Sequence, residues 1–84
     1  MTWVVEGPRT AWLYTRDRAS IRLEAQSRGT GWRLTVAGPG SRRETHDFEN
    51  LLALLDRQAS MERELLATGF VFEQFVSERR RWPR

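Results

Sequence analysis

The chain has 84 residues and a mass of 9.9 kDa, with 14 basic against 11 acidic side chains, one histidine and no cysteine. A chain of this length suits one domain that buries only about 60% of its unfolded surface, so its core is small. Without cysteine, disulfides, thiolate metal sites and thiol nucleophiles are excluded; with every basic residue an arginine, so are lysine Schiff bases and a P-loop lysine.

Residues 1–6 (MTWVVE) lack the basic and apolar regions of a secretory signal. The longest apolar run, residues 51–55, falls far short of the roughly 20 residues that a membrane span needs. The expectation is a soluble, cytoplasmic protein with no membrane partner.

In chain order, residues 2–5 suggest a short edge strand, and residues 11–16 (AWLYTR), 20–26 (SIRLEAQ) and 32–37 (WRLTVA) read as strands. Ile21, Leu23 and Ala25 alternate with Arg22, Glu24 and Gln26, and Trp32, Leu34 and Val36 alternate with Arg33, Thr35 and Ala37. Such alternation marks antiparallel strands with one covered face and one wet face. Residues directly opposite each other share a face, so parity constrains register. A turn at Asp17-Arg18 sets Tyr14 opposite Ile21 and Trp12 opposite Leu23. A four-residue loop over 27–30 sets Ala25 opposite Trp32, Leu23 opposite Leu34 and Ile21 opposite Val36, with Glu24 opposite Arg33 on the wet face.

Residues 42–46 (RRETH), after the turn around Gly38-Pro39-Gly40, read as a charged edge strand. Asp47 is the expected helix N-cap, with Glu49 complementing the positive helix end. The helix runs about 20 residues, with apolar positions 48, 51, 52, 55, 59 and 66 as its core stripe. Leu54, Met61 and Leu65 widen that stripe, Glu62 sits at its margin, and Gly69 suits the left-handed C′ position. In residues 70–79 (FVFEQFVSER), Phe72, Phe75 and Val76 would suit a helix, but the aromatic and β-branched content on both faces favours a strand, in a sheet interior or at a subunit contact. Residues 80–84 read as a basic tail. The fold class is therefore α+β, in the order ββββαβ: an antiparallel sheet of about four strands, one long helix packed on one face, and a final strand, in a single domain over 1–84.

The net charge of +3 is unevenly placed: residues 1–46 carry a net +4, residues 47–78 a net −5, and residues 79–84 a net +4. Arg22 and Arg33 on the sheet's wet face, Arg42 and Arg43 near its rim, and Arg79, Arg80 and Arg81 in the tail are candidates for gripping a nucleic-acid backbone. The plain alternative is a solvated, charge-mixed face. The four-strands-then-helix order is similar to that of Whirly-type single-stranded DNA-binding domains, which implies the same nucleic-acid reading.

Trp3 and Trp82 lie near the chain ends, where a small domain has least capacity to bury them. Together with Phe70, Phe72 and Phe75 they are the candidate oligomer contacts, and a dimer is the favoured assembly. Glu44, His46, Asp47 and Glu49 form the one cluster with metal-ligand chemistry; a lone histidine without a paired motif favours capping and edge-strand roles instead. A strained nucleophile turn and a phosphate-binding glycine fingerprint are both missing, so no catalytic residue, metal, cofactor or small-molecule substrate is assigned. The sequence reading is a non-catalytic homo-oligomeric interaction or scaffold protein; the alternative is a nucleic-acid-binding module.

Overall fold

A computed structural model describes residues 9–78. Its elements are β1 (Arg9–Arg16), β2 (Ala19–Arg28), β3 (Gly31–Ala37), β4 (Arg43–Phe48), α1 (Leu51–Ala67) and β5 (Val71–Glu78). This is the α+β order expected, and every strand pairing is antiparallel, in the spatial order β4-β3-β2-β1-β5. The first four strands form a meander; α1 then carries the chain back across the sheet, so that β5 docks beside β1. The short strand over 2–5, the basic tail, Trp3, Trp82, Arg79, Arg80 and Arg81 lie outside the described residues.

The first hairpin has the predicted register, with Trp12 opposite Leu23 and Tyr14 opposite Ile21 around Asp17-Arg18. Asp17 sits at φ 53°, a left-handed conformation that short polar side chains tolerate. The second hairpin departs from expectation. Its strands reach to Arg28 and Gly31, leaving a two-residue turn with Gly29 at φ 60°. Leu23 therefore faces Val36, Ala25 faces Leu34, and Ser27 faces Trp32. Because the slip is two residues, each side chain keeps its predicted face. The expected Glu24–Arg33 pair is lost: Glu24 lies opposite Thr35, and Arg33 lies opposite Asp47.

The core forms where α1 crosses the sheet. Tyr14, Leu23, Leu34 and Leu54 are fully buried, with Ile21, Ala25, Met61 and Phe70 around them. Two expectations about the helix are corrected here. Asp47 is not its cap: β4 continues through Phe48, whose backbone pairs with Trp32, and Asn50 caps α1 by accepting from the Ala53 N–H at 2.9 Å. The buried side of α1 is also not the expected stripe. Leu54, Gln58 and Met61 face the sheet, whereas Leu51, Leu52, Leu55 and Leu66 face outward.

The C-terminus of α1 ends as Gly69 predicts. Gly69 takes φ 95°, its N–H bonds the Leu66 carbonyl, and the Phe70 N–H bonds the Leu65 carbonyl at 3.0 Å. These two bonds make a Schellman motif that satisfies the last carbonyls and turns the chain into β5. The Arg16 guanidinium donates to the Thr68 carbonyl and lies 5.2 Å over the Phe70 ring, fastening this turn to β1.

Candidate interaction surface

Leu51, Leu55, Ala59, Glu62 and Leu66 recur at helical spacing and form one line along α1. Glu62 fixes where that line looks. Its carboxylate accepts from the Tyr14 hydroxyl at 2.6 Å, and the Tyr14 ring lies 5.6 Å from the ring of Phe72 on β5. At Glu62 the line thus lies beside β1. On the same side of the sheet Trp12 meets Phe75 at 5.8 Å between ring centroids. Trp12, Phe72 and Phe75 form an apolar floor on the helix side of β1 and β5, and Leu51, Leu55 and Leu66 add exposed apolar groups along α1. Phe75 is 52% exposed, and Leu52, further round the helix, is 71% exposed.

A bulge shapes the β5 side. Leu13 pairs with Gln74 and Tyr14 pairs with Phe72, so Glu73 is an extra residue in β5. This puts Phe72 and Phe75 on the helix side of the sheet although they are three residues apart. Val71 and Val76, opposite Thr15 and Ala11, are on the other side and exposed. Glu73 accepts from the Thr15 hydroxyl at 3.1 Å.

The two outer edges of the sheet differ sharply. β4 carries Arg43, Glu44, His46 and Asp47, charges that discourage strand addition. β5 has Glu73 as its only charge over residues 71–77, and its outer backbone groups are unpaired among the described residues.

Of the arginines singled out in the sequence, Arg22, Arg33 and Arg43 are on the open face, away from α1, and Arg42 lies just ahead of β4; most of them are matched by carboxylates. Arg33 grips Asp47 through two bonds of 2.8 and 3.2 Å, which raises the arginine's pKa and lowers the aspartate's. Hydrogen bonding to Arg42 lowers the Glu44 carboxyl likewise. Arg22 lies 3.4 Å from Glu24, which also faces Arg9 at 3.7 Å. Arg22, Arg42 and Arg43 border an open cleft of about 420 Å³ beside the Gly38–Ser41 turn, over Leu13 and Ala37. Trp12, Tyr14 and Trp32 all belong to the helix side, so none of them offers a stacking ring to this face.

The candidate metal cluster is divided by the pleat. Asp47 is held by Arg33 on the open face, and Glu44 and His46 share the helix side with 3.7 Å between His46 Nε2 and Glu44 Oε2. Among the described residues no group of three or more histidine, aspartate or glutamate side chains could hold a metal ion. No described helix is long and apolar enough to cross a membrane.

Of the candidate contact residues, Phe72 and Phe75 are on the exposed floor, whereas Phe70 is buried in the chain's own core. The sequence reading missed Leu51, Leu52, Leu55 and Leu66 as surface residues. Their signal was a polar one: Gln58 and Glu62, spaced four apart, mark the side of α1 that serves Tyr14. Comparison with protein families, with curated proteins and with solved structures yielded no match for this chain, Whirly-type domains included.

Proposed function

We propose that this protein is a non-catalytic interaction or scaffold module that self-associates, as a dimer in its simplest form, through the apolar surface of α1 and β5. One observation carries this reading: eight large apolar side chains of α1 and β5 are each at least 37% exposed. At roughly 200 Å² per side chain and about half exposure, they offer on the order of 700 Å² in total, divided between α1 and the two faces of β5. That area approaches the roughly 800 Å² per partner of a standard interface. A second copy also supplies the burial that a small core without disulfides lacks.

Sedimentation velocity from low to high micromolar concentration tests the reading. The native chain is expected to shift from monomer toward dimer. A Leu52→Glu/Leu55→Glu variant, altered only on the outward side of α1, is expected to keep its circular dichroism and remain monomeric. A native chain that stays a single monomeric species at high micromolar concentration overturns the proposal.

A second reading has one observation in its favour, the cleft bordered by Arg22, Arg42 and Arg43. With no ring to stack on among the described residues, nucleic-acid binding there would rest on phosphate contacts, and its affinity would fall steeply with salt. Titration of labelled single- and double-stranded oligonucleotides at two salt concentrations decides it; no binding at low salt removes it.

A further inference from the structure

The exposed segment of β5 reads nearly the same in both directions: Val71-Phe72-Glu73-Gln74-Phe75-Val76, with the near-isosteric glutamate and glutamine at its centre. We infer that β5 pairs antiparallel with β5 of a second copy, about a two-fold axis through the Glu73-Gln74 step, joining two sheets edge to edge. This rests on the self-association proposed above and supplies its geometry.

A two-fold contact is self-complementary: if one residue meets another, the second meets the first. A palindromic strand meets that condition with like against like. In this register Val71 faces Val76 and Phe72 faces Phe75, the apolar cross-strand pairs that stabilise a ladder. At the centre Glu73 faces Gln74, so each carboxylate meets an amide donor instead of a second carboxylate. A slip of two residues sets Phe72 against Ser77 and loses the aromatic pairs.

The bulge is what makes the palindrome usable. In a regular strand positions 72 and 75 point to opposite faces, and opposed residues must share a face. The extra residue at Glu73 brings both phenylalanines to the helix side and both valines to the open side. Bulges often blunt a sheet edge. Here the bulge lies on the axis, and the segments on either side of it stay in phase with their partners.

The rest of the apolar surface agrees with this arrangement. A two-fold axis normal to the sheet keeps both helices on the same side. Leu66, exposed in the last turn of α1 just before β5, is the helix leucine placed to reach that seam. The charged β4 edge offers no such complementarity.

Because the chain has no cysteine, engineered thiols read the register directly. Val71 and Val76 are exposed, so Val71→Cys and Val76→Cys leave the core intact. Directly opposed residues have Cα atoms about 4.5–5.5 Å apart, within disulfide reach. Two copies of position 71 are separated by several residues of strand, roughly 13 Å, and are out of reach. Under mild oxidation, a mixture of V71C and V76C chains is expected to give covalent dimers containing one of each. Each variant alone is expected to stay uncrosslinked. If the native chain sediments as a dimer but the mixture fails to crosslink, or a single variant crosslinks with itself, this strand pairing is overturned and the self-association stands. If the native chain is monomeric, both fall together.

Discussion

Tyr14 is the chain's single tyrosine, and its hydroxyl decides how the helix lies. The side chain is fully buried, donates to Glu62 Oε2 at 2.6 Å and accepts from Gln58 Nε2 at 3.0 Å, while Gln58 also donates to Glu62 at 3.0 Å. A buried hydroxyl left without those partners would cost about 1–3 kcal/mol. Burial first, and then the bond to the Glu62 carboxylate, raise the phenol well above the ordinary tyrosine range. A raised folded pKa stabilises the fold fully below the unfolded value of about 10, and that contribution is lost as pH rises above it. In an alkaline titration tyrosinate absorbance should therefore appear only together with loss of circular dichroism. Ionisation near pH 10 in a chain that stays folded would contradict this arrangement. Tyr14→Phe should lower stability by about 1–3 kcal/mol, read from the denaturant midpoint at unchanged slope. Strand alternation placed Tyr14 on the covered face, but nothing local linked it to residues 44 and 48 positions further on.

At the scale of elements, the boundary between β4 and α1 shows how two sound local signals compete. Asp47 and Asn50 are both good N-cap residues, and both precede apolar helical spacing. Strand pairing settled the matter: Phe48 remains in register with Trp32, Asp47 stays on the open face with Arg33, and the helix starts three residues later. Asn50→Ala should accordingly cost about 1 kcal/mol in chemical denaturation. Asp47→Ala should leave the helix cap intact, and an equal loss of helix signal in both variants would argue against the assignment. The β2–β3 hairpin carries a related lesson. Ser27-Arg28-Gly29-Thr30 contains more than one workable turn, and a two-residue difference leaves the faces unchanged. Alternation therefore identified the covered face without identifying the partners across it.

For the whole molecule, the apolar surface of α1 and β5 outweighs the arginine-rich face as the feature most in need of explanation. The basic block over residues 1–46 is partly neutralised within itself, by Arg22 with Glu24 and Arg42 with Glu44, and it meets the acidic block at Arg33 and Asp47. Among the described residues, Leu51, Leu52, Leu55 and Leu66 of α1 and the phenylalanines and valines of β5 stay exposed. Association linked to folding makes the melting temperature depend on concentration. The native chain should melt higher as protein concentration rises through its dimerisation range, and the Leu52→Glu/Leu55→Glu variant should melt at one temperature throughout. A native melting temperature independent of concentration would remove the link between this surface and stability.

By itself the sequence determined the order of the first four strands and the helix, the covered faces of β2 and β3, the register of the first hairpin and the glycine that ends the helix. All of these follow from side-chain period and turn chemistry, which act over a few residues. Only the tertiary structure decided which side of α1 meets the sheet and which sheet edge is left open. Several sides of that helix are apolar enough to be buried, and the side that meets the sheet also carries Gln58, which bonds the buried Tyr14 hydroxyl. The return of the chain beside β1 then leaves β5 at the rim, apolar on both faces.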